Sequence, residues 1–137
     1  MSSSEQAPEE IAMFIDARGC VFEPVDAETL PKQRNIHVAL TEPGHVRGNH
    51  YHRRIEEHLV AVGPALVRWR AGGTVGDFHV PAGKAFRFRF LPGVAHAIVG
   101  TGMQPLLLVS FGDQAHNPAD PDVVRDVLIE PQTPVKV

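Results

Sequence analysis

His50-Tyr51-His52 is the segment of this chain most suited to chemistry. In an extended strand, residues two apart share a face, so both imidazoles can reach one point while Tyr51 turns away. Glu56 follows after the short turn Arg53-Arg54-Ile55, where a returning strand can bring a carboxylate beside them. His96 comes some forty residues later, after the Pro92-Gly93 turn, and can close the site from another strand. Three neutral imidazoles and one carboxylate form a borderline-to-hard donor set. Such a set suits Zn, Fe(II), Mn, Ni or Co and leaves a position for water or substrate. Each histidine taken singly reads as a surface or core residue; the spacing of the set favours a metal site. Glu57 is the competing carboxylate, and the spacing and strand parity are read in favour of Glu56.

The elements that must position these residues are short strands. Twelve Gly and twelve Pro punctuate 137 residues, and strand-like runs fall at 21–24, 35–40, 46–50, 57–62, 65–70, 74–80, 86–91, 95–99 and 106–111. Turn pairs such as Pro43-Gly44, Gly63-Pro64, Gly72-Gly73 and Pro92-Gly93 separate them, with no amphipathic helix between. That pattern predicts an all-β sandwich or barrel. In Phe86-Arg87-Phe88-Arg89-Phe90 the period of two puts three aromatics on one face and two guanidinium groups on the other. The arginines are either solvent-facing or line a mouth for a phosphorylated ligand. Asp120-Pro121-Asp122 before 123–128 predicts a capped helical turn or two near the C-terminus. Residues 1–10 read as a disordered leader, 11–130 as one domain and 131–137 as an extended tail.

Composition narrows the function classes. The formal net charge of -3 argues against a nucleic-acid binder that relies on backbone neutralisation. The single cysteine, Cys20, cannot form an intramolecular disulfide, and the N-terminus lacks the layout of a signal peptide, so a cytoplasmic protein is expected. The longest apolar run, near 105–109, is too short to cross a bilayer, and no membrane association is expected.

Gly44, His50, His52, Glu56 and Gly63 stand at the spacing Gly-x5-His-x-His-x3-Glu-x6-Gly, which resembles the first cupin motif. Pro92-Gly93-x2-His96 resembles the core of the second, although Gly100 stands where that motif has Asn. The resemblance implies a cupin fold, a double-stranded β-helix or jelly-roll barrel, with His50, His52, Glu56 and His96 as metal ligands. Asp16-Ala17-Arg18-Gly19 with Phe22-Glu23, and Arg47-Gly48-Asn49-His50-Tyr51, resemble the dTDP-4-dehydrorhamnose 3,5-epimerase group. Residues 47–52 (RGNHYH) and 92–122 (PGVAHAIVG…AHNPADPD) are similar to the C-terminal cupin domain of bifunctional UDP-sugar epimerase/reductases of capsule synthesis.

That likeness implies zinc and epimerisation or isomerisation beside the ketone of a 4-keto-hexose carried on UDP or dTDP. It also implies a homodimer and Arg47 as a nucleotide-phosphate contact. His50 matches the epimerases' base, but a metal ligand cannot use the same nitrogen as a base. His58, two residues from Glu56 on the same strand face, is the substitute, with His37 as a weaker one. Tyr51, the one tyrosine, faces away and leaves the family's acid role unfilled. The alternative readings are a metal-dependent small-molecule enzyme such as an Fe(II) dioxygenase, and a non-catalytic ligand-binding cupin.

Overall fold

A computed structural model describes residues 7–131. Its strands are β1 Glu9–Ile11, β2 Met13–Asp16, β3 Gly19–Phe22, β4 Asn35–Thr41, β5 Val46–Tyr51, β6 Glu57–Val62, β7 Ala65–Ala71, β8 Thr74–Val80, β9 Ala85–Phe90, β10 Ala95–Gly100, β11 Leu106–Gly112 and β12 Val124–Arg125. Two five-stranded antiparallel sheets, ordered β1-β9-β6-β11-β4 and β12-β5-β10-β7-β8, face each other, and β2 and β3 form a separate hairpin. The helical element among the described residues is a 3-10 turn at Leu30–Lys32.

The inward positions of both sheets are apolar and close the barrel around Leu59, Ala61, Val67, Phe88, Ile98 and Leu108. β9 shows the alternation its sequence predicts. Phe88 and Phe90 are buried, while Arg87 and Arg89 turn to the outer face and pair with Glu9 and Glu56. One Gly position is filled by a neighbour: on β8, a Cβ at Gly76 would collide with the Trp69 indole across the strand pair. The ring therefore occupies the space a side chain would need.

Two expectations are corrected. The disordered leader expected over residues 1–10 does not include Glu9 and Glu10, which belong to β1 and pair with β9. The free edge of β9 supplies unpaired backbone groups, and the Glu9–Arg87 and Glu10–Lys84 ion pairs (2.6 and 3.3 Å) hold the strand there. The rest of the expected leader before Ala7, and the tail beyond 131, lie outside the described residues. The helical turn expected over 123–128 is absent. Val124 and Arg125 form β12 on the open edge of β5, as suits β-branched residues beside unpaired backbone groups. The Asp122 carboxylate accepts instead from the backbone of the turn at 53–55.

Candidate metal centre

β5 and β10 run antiparallel, with His50 opposite His96, but Ala97 pairs with Gly48. Asn49 is therefore an extra residue, a bulge that re-aims the side chains beyond it. Asn49 has a left-handed φ of 56°, and Gly48 one of 84°. Gly48 must be glycine, because a Cβ there would lie 2.6 Å from the carbonyl oxygen of His96. The Asn49 side chain holds the bulge: its Oδ1 accepts from Leu128 and Ile129 N–H, and its Nδ2 donates to the Ile129 carbonyl at 2.9 Å.

With β5 so shaped, His50, His52 and His96 converge. One ring nitrogen of each lies within 4.8 Å of the others, and the ring centroids are 5.0–5.8 Å apart. Two tautomers are fixed. His52 Nδ1 lies 2.6 Å from the Asp122 carbonyl and His96 Nδ1 3.0 Å from the Val94 carbonyl. A carbonyl only accepts, so both Nδ1 atoms carry the proton and both Nε2 atoms face the centre, each with a lone pair for a cation when its ring is neutral. Phe90 stacks on His96 at 4.1 Å with planes 2° apart, pinning the ring.

The carboxylate at this point is Glu57, not Glu56. Glu57 Oε1 lies 2.8 Å from His96 Nε2, and Oε2 lies 3.8 Å from His52 Nε2 and accepts from Ser110 Oγ at 2.6 Å. The reason is register: Glu57 pairs with Phe90 of β9, so Glu57, Leu59 and Ala61 share the inward face. Glu56 precedes the strand, and its carboxylate turns outward to Arg89. His58 shares that outer side, 3.9 Å from Glu56 Oε1. The expected parity between Glu56 and His58 is thus present, but on the wrong face of the sheet for a role at the histidine cluster. Glu57 could have been found by aligning the Phe86–Phe90 alternation with β6, since an antiparallel partner of Phe90 must also point inward.

Electrostatics follow from this packing. Burial, reinforced by the facing charges His96 and His52, lowers the pKa of His50 to about 4. Burial alone would raise Glu57, but the His52 and His96 imidazoles and the Ser110 hydroxyl hold it well below the usual carboxylate range. Burial opposes protonation of His52, yet Glu57 and the Asp122 carbonyl raise its pKa. His52 Nε2, His96 Nε2 and Glu57 Oε1 are buried and none makes a normally aligned hydrogen bond. Inward-facing donor atoms left without partners are what a coordination site requires, so these residues fit a divalent cation.

Two cavities of about 380 and 450 Å³ flank the cluster, sharing His37, His50, Glu57 and Ser110. Arg47 lines the first, its Nε donating to Thr41 Oγ1 at 2.9 Å. His116 lines the second; it lies in the AHNPADPD segment of the likeness to capsule-synthesis cupins but was given no role there, and Ser110 carried no signal of its own. Tyr51 lines neither; it pairs with Val124 on the sheet edge. The Asp122 carboxylate accepts from the backbone N–H of Arg53, Arg54 and Ile55 at 2.8–2.9 Å, fixing the turn between β5 and β6. The backbone donors outweigh burial and keep Asp122 below its usual pKa.

The two facing sheets, with histidines from β5 and β10 meeting inside, define a cupin jelly roll. Residues 14–124 match the polysaccharide biosynthesis C-terminal domain family, and the chain belongs to it. Among solved structures it is similar to the capsular polysaccharide assembling protein CapF of Staphylococcus aureus, with 21% identity and a TM-score of 0.65 over 86% of this chain and 34% of that one. It is also similar to QdtA, a sugar 3,4-ketoisomerase from Thermoanaerobacterium thermosaccharolyticum in complex with TDP, with 12% identity and a TM-score of 0.69 over 91% and 90% of the two chains. ChmJ, a 3'-monoepimerase from Streptomyces bikiniensis in complex with dTDP-quinovose, matches with 19% identity and a TM-score of 0.60 over 82% and 65%. At these identities the likeness shows the fold, and the chain spans about a third of the length of CapF. No curated protein matches. No helix among the described residues is long and apolar enough to cross a membrane.

Proposed function

We propose that the chain is a metal-dependent sugar-nucleotide isomerase or epimerase acting on the carbon beside the ketone of a 4-keto-hexose. The observation that carries this reading is the convergence of three imidazoles and Glu57 between two cavities that His37 lines from the opposite sheet. The sugar-nucleotide enzymes among the structural neighbours support it.

His50, His52, Glu57 and His96 would hold the cation, zinc or another borderline divalent ion of the Fe, Mn, Ni, Co group. When bound, it supplies a Lewis acid for a ketone oxygen. The remaining steps fall to side chains. His50 is committed as a ligand and His58 lies on the outer face, so His37 is the base. Its imidazole takes the proton from the α-carbon, and the C–H electron pair forms the C=C bond of an enolate as the carbonyl π pair moves to the ketone oxygen. Collapse of the enolate with a proton taken up from solvent at that carbon completes the exchange. Arg47 sits at the rim with Nε tied to Thr41, leaving its terminal nitrogens for a nucleotide phosphate.

The outward face of β4 leaves Ile36, Val38 and Leu40 between 55 and 68% exposed on the edge of its sheet. A second copy of the chain covering this face is part of the proposal.

The test is solvent exchange. Incubated in deuterated water with a 4-keto UDP- or dTDP-hexose, the metal-loaded protein should introduce deuterium at C3 or C5. No incorporation with either nucleotide would remove the isomerase reading.

A further inference from the structure

Residues 120–129 run along the edge of the histidine-bearing sheet as a strap, and none of their side chains joins the hydrophobic core of the barrel. Asp122 is the one buried residue among them, and β12 gives β5 only two residues of pairing. Polar bonds hold the strap instead. Away from the metal centre, Arg70 pairs with Asp126 at 2.8 Å and Arg68 Nη1 donates to the Leu128 carbonyl at 3.3 Å. A segment with so little buried apolar surface can open locally while the body beneath it stays folded.

The other bonds of the strap end on the residues that aim the imidazoles. Asn49, next to His50 and only 5% exposed, accepts from Asp126 N–H through its backbone carbonyl at 2.8 Å. Its side chain adds the three bonds to Leu128 and Ile129 that clamp the bulge. His52 Nδ1 donates to the Asp122 carbonyl. With the strap lifted, a buried amide would lose its partners, the bulge that sets His50 would lose its clamp, and His52 would lose its acceptor. Pro121, Asp122 and Val123 of the same segment also line the cavity of about 450 Å³. One segment therefore touches the aim of two ligands and the wall of the space beside them.

We infer that residues 120–129 are a strap seated by the cation, with Asn49 as the positioning residue that links the two, an inference that rests on the metal reading proposed above. The coupling runs both ways. A seated strap aims His50 and His52, so a cation held by those rings must favour the seated strap by the same factor. Cation loading then also completes the wall formed by Pro121 and Val123, and an organic ligand meets the finished cavity in the loaded protein.

The experiment is amide hydrogen exchange of the full-length protein with and without zinc, with bound zinc measured by elemental analysis of the same sample. Zinc should slow exchange at Asp126, Leu128 and Ile129 by at least about tenfold. Failure to take up zinc would remove the metal reading and this inference together. Zinc uptake with unchanged exchange at those three amides would overturn the inference alone. Asn49→Gly keeps the left-handed backbone, which glycine adopts freely, and removes the clamp. It should weaken zinc binding by at least about tenfold, and zinc should no longer slow exchange at Leu128 and Ile129. Leu128→Pro removes one donor from the strap and leaves β5 untouched, a second measure should Asn49→Gly disturb the barrel. It should weaken zinc binding in the same direction. Zinc affinity unchanged in both variants would overturn the inference.

Discussion

His52 Nδ1 donates to the Asp122 carbonyl over 2.6 Å, although the two residues are 70 positions apart in the chain. The same Asp122 receives three backbone N–H groups from 53–55 through its carboxylate, so one residue orients the His52 imidazole and fixes the adjoining turn. Asp122→Ala should lower stability by about 2–3 kcal/mol, because charge-assisted bonds are lost and buried donors are left unpaired. The Asp122 pKa is depressed in the fold, so its contribution is present above 3.8 and lost as pH falls through the lower folded value. Urea denaturation of both proteins on either side of that pH would measure it. Equal stability of the two proteins at neutral pH would refute the role.

Glu57→Gln and Glu56→Gln separate the two adjacent carboxylates. The first should weaken metal affinity by at least about tenfold, whereas the second should leave metal content unchanged. Chelator competition followed by elemental analysis distinguishes them. A drop confined to the Glu56 variant would reverse the assignment.

His50 should remain neutral well below the pH at which an ordinary histidine protonates. Its folded pKa of about 4 lies under the unfolded value of 6.5, so the unfolded chain takes up the proton first. In metal-free protein this group therefore costs stability progressively as pH falls from 6.5 to about 4, and no further below that. Ring nitrogen shifts recorded across this window report the protonation directly. Titration near 6.5 would contradict the burial argument.

His37→Gln should slow solvent exchange into a 4-keto substrate by about 10²–10⁴-fold, the usual contribution of a general base. Metal content should not change. His58→Gln, on the outer face, should leave the exchange rate intact, and a large loss there would return His58 to the catalytic role.

Leu40→Asp should convert a protein of twice 15.0 kDa into one of 15.0 kDa, read by light scattering. An unchanged native mass would place any subunit contact elsewhere.

The sequence carried the strands more surely than the choice of carboxylate. Each strand expected from 35 to 111 is present with bounds moved by at most one residue, because Gly and Pro turns delimit it and both barrel faces reward apolar alternation. The 21–24 run starts two residues earlier, at Gly19, since it pairs only in a hairpin. Glu56 and Glu57 could not be separated along β6 alone. Residues 57–62 read EHLVAV, and apolar side chains occur on both of its faces, with Val60 as fully buried on the outer side as Ala61 is on the inner. The pairing with β9 supplies the missing parity. The extended course of 122–129 was hidden for a different reason. Its anchors, Asn49 and the 53–55 turn, lie about seventy to eighty positions earlier in the chain, beyond the reach of a local capping pattern.

Trp69 is the one indole in the chain, and it lies over Gly76 on one side while pairing with His96 in register on the other. Its emission is thus an intrinsic optical gauge of the sheet that carries the histidines. Loss of the barrel should register in its ultraviolet fluorescence without attaching a dye, and so would a cation held among the histidines as proposed.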